Sequence, residues 1–312
     1  MWFKNLKVFR LAEHWANDMS KLDAALKADA FVSADDLSAV STGWVAPRDD
    51  DERFAVDVQG QYLAAFRIEK KLLPSTVINQ TVKARALVME EEQGFSPGRK
   101  QLRDLKEAVT DELLPRAFSV ARDVRLWIDP VNRWLVIDAA AAAQSDEVLS
   151  ALGRSLNPYP VEPLKLQQSP TALMTQWLLA GQAPEGFSVD DDSQWQATGE
   201  QAASIRYVRH GLPEETIQSH VEAGYQCTRL AMTWQDRVSF ALTDTGDLKR
   251  ITPLEVLEER GNDAVVQTPA EKFESDFTLM TAELAKLFDD LMLLLGEASL
   301  TESNATTNTN NP

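Results

Sequence analysis

An α+β fold built on antiparallel sheets is the reading this chain supports, on three observations. Strand-like runs come as neighbouring pairs joined by short turns. Amphipathic helical segments separate those pairs, and the regular strand–helix alternation of a parallel sheet is missing. Residues 1–11, rich in aromatic and β-branched side chains, form the first strand. Trp15, Met19, Leu22 and Leu26 recur at intervals of three and four, which predicts an amphipathic helix over 13–29. Gly43-Trp44-Val45 leads into the solvated loop RDDDER at 48–53, and Phe54–Val58 with Gln61–Ile68 make a hairpin around Gln59-Gly60. Pro74-Ser75 opens a helix carrying Val77, Ile78, Val82 and Leu87 as far as Gln93. GFSPG at 94–98 breaks it, and a second helix follows over Arg99–Leu114, ending at Pro115. These two helices are expected to form a projecting finger with Arg99 and Lys100 at its tip.

Further along, VRLWID and RWLVIDA are strands joined at Pro130-Val131-Asn132, and the alanines at 139–143 mark a strand-to-helix transition. A helix over 145–156 stops at Asn157-Pro158, VEPLKL at 161–166 reads as a strand, and Thr171–Leu179 is helical. FSVDDDSQWQA and the segment through IRYVRH give more strands. Pro213–Ala223 is a helix with Glu214 and Glu215 in its first turn, the end its dipole favours for acids. YQCTRLAMTW and RVSFALTD are consecutive strands, and Asp244-Thr245-Gly246-Asp247 turns into LKRI. A last helix, rich in Phe, Leu and Met, covers Pro269–Leu295. The expected organisation is an α+β body (1–73 and 115–296) of two sheet-containing subdomains with a boundary near 160. The helical finger occupies 74–114, and 297–312 is a polar, low-complexity, disordered tail.

Composition narrows the function. The 312 residues hold 48 Asp+Glu against 31 Lys+Arg, a net charge of −17. Such a protein is repelled by a polyanion unless its cations are segregated onto one face. No apolar run approaches the ~18 residues of a membrane helix. The start Met1-Trp2-Phe3-Lys4 lacks the basic and apolar regions of a signal peptide, so a cytoplasmic location is expected. Cys227 is the single cysteine, which leaves no intrachain disulfide or cysteine-based metal site and reads as a small core residue. His14, His210 and His220 have no metal-binding spacing, and Asp49–Asp51 and Asp190–Asp192 read as solvated loops. No cofactor, no catalytic metal and no catalytic residue are expected.

Two cationic groups stand out. Arg99, Lys100, Arg103, Lys106, Arg116, Arg122 and Arg125 surround LLPRAF at 113–118. The plain alternative is pairing with acids of the same helix, such as Asp104, Glu107 and Asp111. The second group is Arg206, Arg209, Arg229, Lys249 and Arg250. Neighbours on a strand point to opposite faces, so not all of them line one surface. Lys249 and Arg250 have a competing role as partners of the acids at 255–259.

Six segments appear in order: MWFKNLKVFRL at the start, EKKLLPSTVIN at 69–79, LLPRAF, HVEAGYQCTRLAMTW at 220–234, GDLKRI at 246–251 and FESDFTLMTAEL at 273–284. Together they resemble the RdgC family of bacterial recombination-associated proteins. That resemblance implies a non-catalytic, ring-shaped homodimer that encircles double-stranded DNA without sequence preference and restrains RecA-driven strand exchange. Single-stranded DNA is a further partner, and no membrane is involved. The residues and the resemblance together point to DNA contacts at Arg99, Lys100, Arg103, Lys106, Arg116, Arg122, Arg209, Arg229, Lys249 and Arg250. Arg209 is the best-matched cation. The family's lysine-rich stretch near 207–210 and its basic residue at the place of Tyr225 are replaced here by YVRH and a tyrosine, which removes positive charge. Phe118 matches a position that inserts into the partner subunit, against the plain alternative of a core aromatic. Phe277, Leu284 and Phe288 on the last helix are expected to join Phe118 in self-association. The rival reading is a protein-interaction regulator that contacts the recombinase directly, with DNA binding secondary; a metal-dependent nuclease is the third.

Overall fold

A computed structural model describes residues 2–15, 17–33, 38–199, 203–257 and 268–297. The chain runs β1 (Asn5–Leu11), α1 (Met19–Ala28), β2 (Val40–Val45), β3 (Ala55–Val58), β4 (Gln61–Lys71), α2 (Ser75–Gln93) and α3 (Arg99–Leu113). A 3-10 turn (Leu114–Arg116) leads to β5 (Ser119–Asp129), β6 (Trp134–Asp138), α4 (Ala142–Ser155), β7 (Val161–Glu162) and α5 (Pro170–Ala180). Then come β8 (Phe187–Ala197), β9 (Ser204–Tyr207), α6 (Glu214–Glu222), β10 (Tyr225–Trp234), β11 (Val238–Thr243), β12 (Leu248–Pro253) and α7 (Pro269–Leu295). This is the expected mixture of antiparallel sheet and flanking helices. The first helix starts later than its spacing predicts, so Trp15 stands outside it, and only Val161–Glu162 of VEPLKL is extended. The expected tail falls outside the described residues except for Glu297, whose carboxylate grips Arg10 from 2.6 Å. No helix among the described residues is long and apolar enough to cross a membrane.

The chain divides into two compact units, residues 1–18, 56–63 and 125 onward forming one, and 19–55 with 64–124 the other. The boundary expected near 160 falls inside the first unit, and α2 and α3 belong to the second.

In the first unit β6, β1, β12, β11, β10, β8 and β9 are successive hydrogen-bonded neighbours, antiparallel throughout. Alternation assigns the faces. Leu230, Met232 and Trp234 of β10, with Val238, Phe240 and Leu242 of β11, point to the face covered by α7 and are at most 2% exposed. From α7, Phe277, Leu284, Leu287, Phe288 and Leu291 meet them at 0% exposure. Phe288 stacks on Trp127 at 5.9 Å and meets Trp134 edge-on at 5.5 Å, contacts worth about 0.5–1.5 kcal/mol each beyond burial.

Polar clamps fix the position of α7. The Trp234 indole N–H donates to Asp290 at 2.8 Å. Arg237 donates to both oxygens of Glu283, at 2.8 and 2.5 Å. Thr268 caps the helix and exchanges hydrogen bonds with Glu271, satisfying its first turn. Cys227 is fully buried, and burial pushes its thiol up to about 12, so the core role expected of it holds.

In the second unit β2 pairs with Ala65–Lys70 of β4. Gly43 is required there, because a Cβ would stand 2.4 Å from the Phe31 Cα. α2 and α3 pack on each other, and α2 ends on Gly94, whose φ of 79° is the left-handed conformation glycine adopts freely. Each helix buries a single side chain, Ile78 and Val109. Polar contacts such as Arg85–Glu112 at 2.6 Å join their outer surfaces.

Glu283 is 5% exposed, and Arg237 is its hydrogen-bonded cation; Lys286, largely in solvent, stands 3.8 Å away. Arg237→Ala is expected to lower unfolding free energy by about 3 kcal/mol through a stranded carboxylate, and Arg237→Met with Glu283→Leu to recover most of it. Denaturant titration reads both. Equal stability of Arg237→Ala and the parent chain would show that the pair does not hold α7.

Candidate nucleic-acid interface

The sheet face opposite α7 carries the cations. Directly paired residues of an antiparallel ladder project to the same side. Arg206 of β9 pairs with Gln194 of β8, Gln194 with Arg229 of β10, and Arg229 with Thr243 of β11. Ala241 pairs with Lys249 of β12, so these residues share one face. Alternation alone would send Arg250 to the other side. A β-bulge prevents this: the β11–β12 register slips between Ser239 and Ala241, and Arg250 takes a φ of +55°. A left-handed arginine costs conformational energy, and here it brings a third guanidinium to the same shallow pocket. Asp192, Gln194, Arg206, Arg229, Ala231, Ala241 and Arg250 line that pocket. Ser193 and Tyr207 complete its lining.

The electrostatics are those of an anion site. Burial, then repulsion from Arg250 and Arg206, pulls the Arg229 guanidinium below its ordinary value. One carboxylate offsets this: Asp192 accepts the Arg209 backbone N–H at 2.7 Å and the Arg250 guanidinium at 3.1 Å. Arg209 also has positive φ, +52°, and its side chain is exposed beside the group. Asp192 thus positions two cations while leaving the pocket net positive.

Lys249 is spent differently from the expectation. Its ammonium donates to the carbonyls of Ala139 at 3.1 Å and Ala140 at 3.4 Å, and its side chain is 14% exposed. Burial lowers its pKa. It closes the end of the β1–β12 pairing in place of reaching solvent. Tyr225 packs on His220 at 5.9 Å, and His220 meets the Tyr207 hydroxyl at 2.7 Å. Asp190–Asp192 is not a solvated loop, since it lies within β8, and among the described residues no three His, Cys, Asp or Glu side chains are grouped to hold a metal.

The second unit holds the other cations. Arg99 and Lys100 occupy the first turn of α3, which has no acid, and Gly98 offers no side-chain cap. Gln101 folds back to accept the Gly98 N–H at 2.9 Å. Two cations at the positive end of a helix are mutually unfavourable without an anion. Among the described residues Arg103 has only its neighbour Asp104, at 3.7 Å and largely in solvent, a contact of little energy. Lys106, Arg116 and Arg122 are exposed. Phe118 is 86% exposed, so the core alternative does not hold. Leu72 (55%) and Val120 (49%) extend the exposed apolar surface. Leu72 lies beside it, its N–H donating to the Phe118 carbonyl at 2.6 Å. By contrast Phe277, Leu284 and Phe288 are wholly inside their own chain, which corrects their assignment to a dimer contact.

A family model described as "Putative exonuclease, RdgC" matches residues 1–298. The chain belongs to the RdgC family. It is similar to the recombination-associated protein RdgC of Bordetella parapertussis, 52% identical over 95% of this chain and 98% of that one. The same-named proteins of Burkholderia cenocepacia and a Janthinobacterium species are 51% and 49% identical, again over 95% of this chain and 96% and 98% of theirs. Within this RdgC frame, the sequence places Arg206 in the second cationic group, but the expected DNA contacts include Arg209, Arg229 and Arg250 without it. The cross-strand register that joins them had no local signal.

Lys249→Met is expected to cost about 2 kcal/mol of stability, because it removes two charge-assisted hydrogen bonds. The same change should weaken duplex binding less than Arg250→Met does. Thermal melts and a binding isotherm on both variants decide this; the opposite ranking in affinity would return Lys249 to the interface.

Proposed function

We propose that the chain is a non-catalytic, sequence-independent double-stranded DNA-binding protein. In this reading it works in the cytoplasm on the nucleoid as a ring-shaped homodimer and limits RecA-mediated strand exchange by occupying duplex. The observation that carries the DNA reading is the convergence of Arg206, Arg229 and Arg250 on one open face of a protein of net charge −17. Guanidinium groups so placed meet phosphates and read no base edges, which positions protein on duplex without specifying sequence. Arg99 and Lys100 at the α3 N-terminus supply a second phosphate-binding element. The acidic remainder of the surface keeps DNA from adhering elsewhere. The ring and the effect on RecA come from the family resemblance, and Phe118, exposed and apolar, suits one symmetric contact of such a ring.

Replacing Arg206, Arg229 and Arg250 together by Gln is expected to weaken binding equally on unrelated duplexes. The salt slope should flatten by roughly 2.7, about 0.9 for each phosphate that is no longer neutralised. An unchanged slope would remove these arginines from the interface. Incubation of the purified protein with Mg²⁺ or Mn²⁺ and end-labelled linear DNA is expected to leave the DNA intact; processive shortening, abolished by mutation of a carboxylate, would establish an exonuclease instead.

Phe118→Ser is expected to change unfolding free energy by less than about 0.5 kcal/mol, because the ring is already exposed. A ring open at one contact stays dimeric through the other. The variant should therefore remain a dimer in sedimentation, leave DNA faster and inhibit strand exchange poorly. Full inhibition by the variant would discard the contact.

A further inference from the structure

A cavity of about 390 Å³ lies between the end of α5, β8, the 210–212 loop and α6, a size that suits a small ligand or a few side chains. Trp177, Phe187, Leu212 and Ile217 give it apolar walls, and its polar lining sets the carboxylates of Asp190 and Asp191 beside Gln182, Ser188, Ser193 and His210; it includes no Lys or Arg. The acids are there because β8 is irregular. Between the pairs Val189↔Met232 and Ser193↔Leu230, β8 spends Asp190, Asp191 and Asp192 where β10 spends only Ala231. Three carboxylates are thereby pushed out of the ladder, and their surroundings diverge. Asp192 turns to the arginines. Asp190 accepts the Thr233 hydroxyl at 3.0 Å, and burial, with repulsion from Asp191 and Asp192, raises its pKa. Asp191 approaches Gly211, where an added Cβ would lie 3.0 Å from its carboxylate oxygen, and among the described residues that carboxylate has no hydrogen-bond or ion-pair partner. Gly211 thus keeps the rim open to Asp191.

Apolar walls with two carboxylates and no Lys or Arg select against phosphate and in favour of a cation on an apolar body. The chain's own C-terminal segment, 298–312, contains no Lys or Arg, and Arg260, the arginine of segment 258–267, is flanked by Glu259 and Gly261 and not by large apolar residues. We propose that this cavity is a docking site for a segment of a different protein, in which an arginine is flanked by large apolar residues. The guanidinium sits between Asp190 and Asp191, and the flanking side chains pack on Trp177 and Phe187. Arginine fits better than lysine because its planar, weakly hydrated head tolerates aromatic neighbours while it pairs with carboxylates. The site goes beyond the DNA-binding reading and does not depend on it, because it uses different side chains and the opposite sign of charge.

The test uses a fluorescein-labelled peptide, Leu-Arg-Leu-Arg-Leu, with Ser-Arg-Ser-Arg-Ser and Leu-Glu-Leu-Glu-Leu as controls, read by fluorescence anisotropy on the full chain. Saturable binding of the first peptide is expected, with both controls at least about tenfold weaker, because both the buried charge pair and the apolar contacts contribute. Asp190→Asn with Asp191→Asn should cost about tenfold in peptide affinity and leave duplex binding as it was. Ala183→Trp, which fills the cavity and keeps every charge, should abolish peptide binding as well. Equal binding of Ser-Arg-Ser-Arg-Ser would reduce the effect to the general acidity of the protein and overturn the proposal. Unimpaired binding to the Ala183→Trp variant would do the same. Displacement of the peptide by a duplex oligonucleotide would show that the cavity is part of the DNA surface, and would also overturn it.

Discussion

The seating of α7 on one face of the first unit's sheet is the constraint from which the rest follows. Phe277, Leu284, Phe288 and Leu291 are wholly buried against that face, and Arg237–Glu283 and Trp234–Asp290 fix the helix in place. Once one face is committed to hydrocarbon, alternation sends every second residue of β8 to β12 to the other side. There Arg206, Gln194, Arg229 and Lys249 collect without further design. The strand period that builds the core therefore also builds the polar face. A one-residue slip of β10 would bury Arg229 and expose Met232, so the interface inherits its register from the core.

Gathering like charges costs stability, and the structure shows how that cost is contained. Arg250 reaches the group only by adopting a left-handed backbone in a bulge. Asp192 then binds Arg250 and the Arg209 backbone together, so a single acid steadies two cations. Burial and the neighbouring Arg250 and Arg206 disfavour the charged form of Arg229, an effect that a bound phosphate would offset. In the second unit, Arg99 and Lys100 stand at the helix end where a cation is least favoured. Both arrangements give up folding energy locally and regain it when an anion binds. The net charge of −17 makes such segregation necessary, since an evenly distributed surface of that charge would repel DNA.

Much of this was legible in the chain. Period-two runs marked β8, β10 and β11, the GFSPG break separated α2 from α3, and the apolar stripe of Pro269–Leu295 gave α7 its bounds. The cations were visible as a group, and six ordered segments pointed to the family. What was not legible is set by contacts distant in sequence or by irregularity. Phe277, Leu284 and Phe288 read as surface for a partner because nothing local reveals the sheet that covers them. Lys249 read as a DNA contact because the carbonyls of Ala139 and Ala140 that engage it lie far back in the chain. Asp190–Asp192 read both as part of a strand and as a solvated loop, and nothing local shows the bulge that sets these three residues against Ala231 alone.

The central claim is that DNA lies on the sheet face opposite α7. Ala231 stands on that face among the arginines, whereas Leu293 of α7, 83% exposed, marks the helical side. The native Cys227 thiol, buried and held protonated, leaves an introduced cysteine as the reactive one. Ala231→Cys and Leu293→Cys, each carrying a photoactivated cross-linker, would be irradiated with a labelled duplex. Cross-linking from position 231 and none from position 293 is the predicted result; efficient cross-linking from 293 with none from 231 would contradict the account.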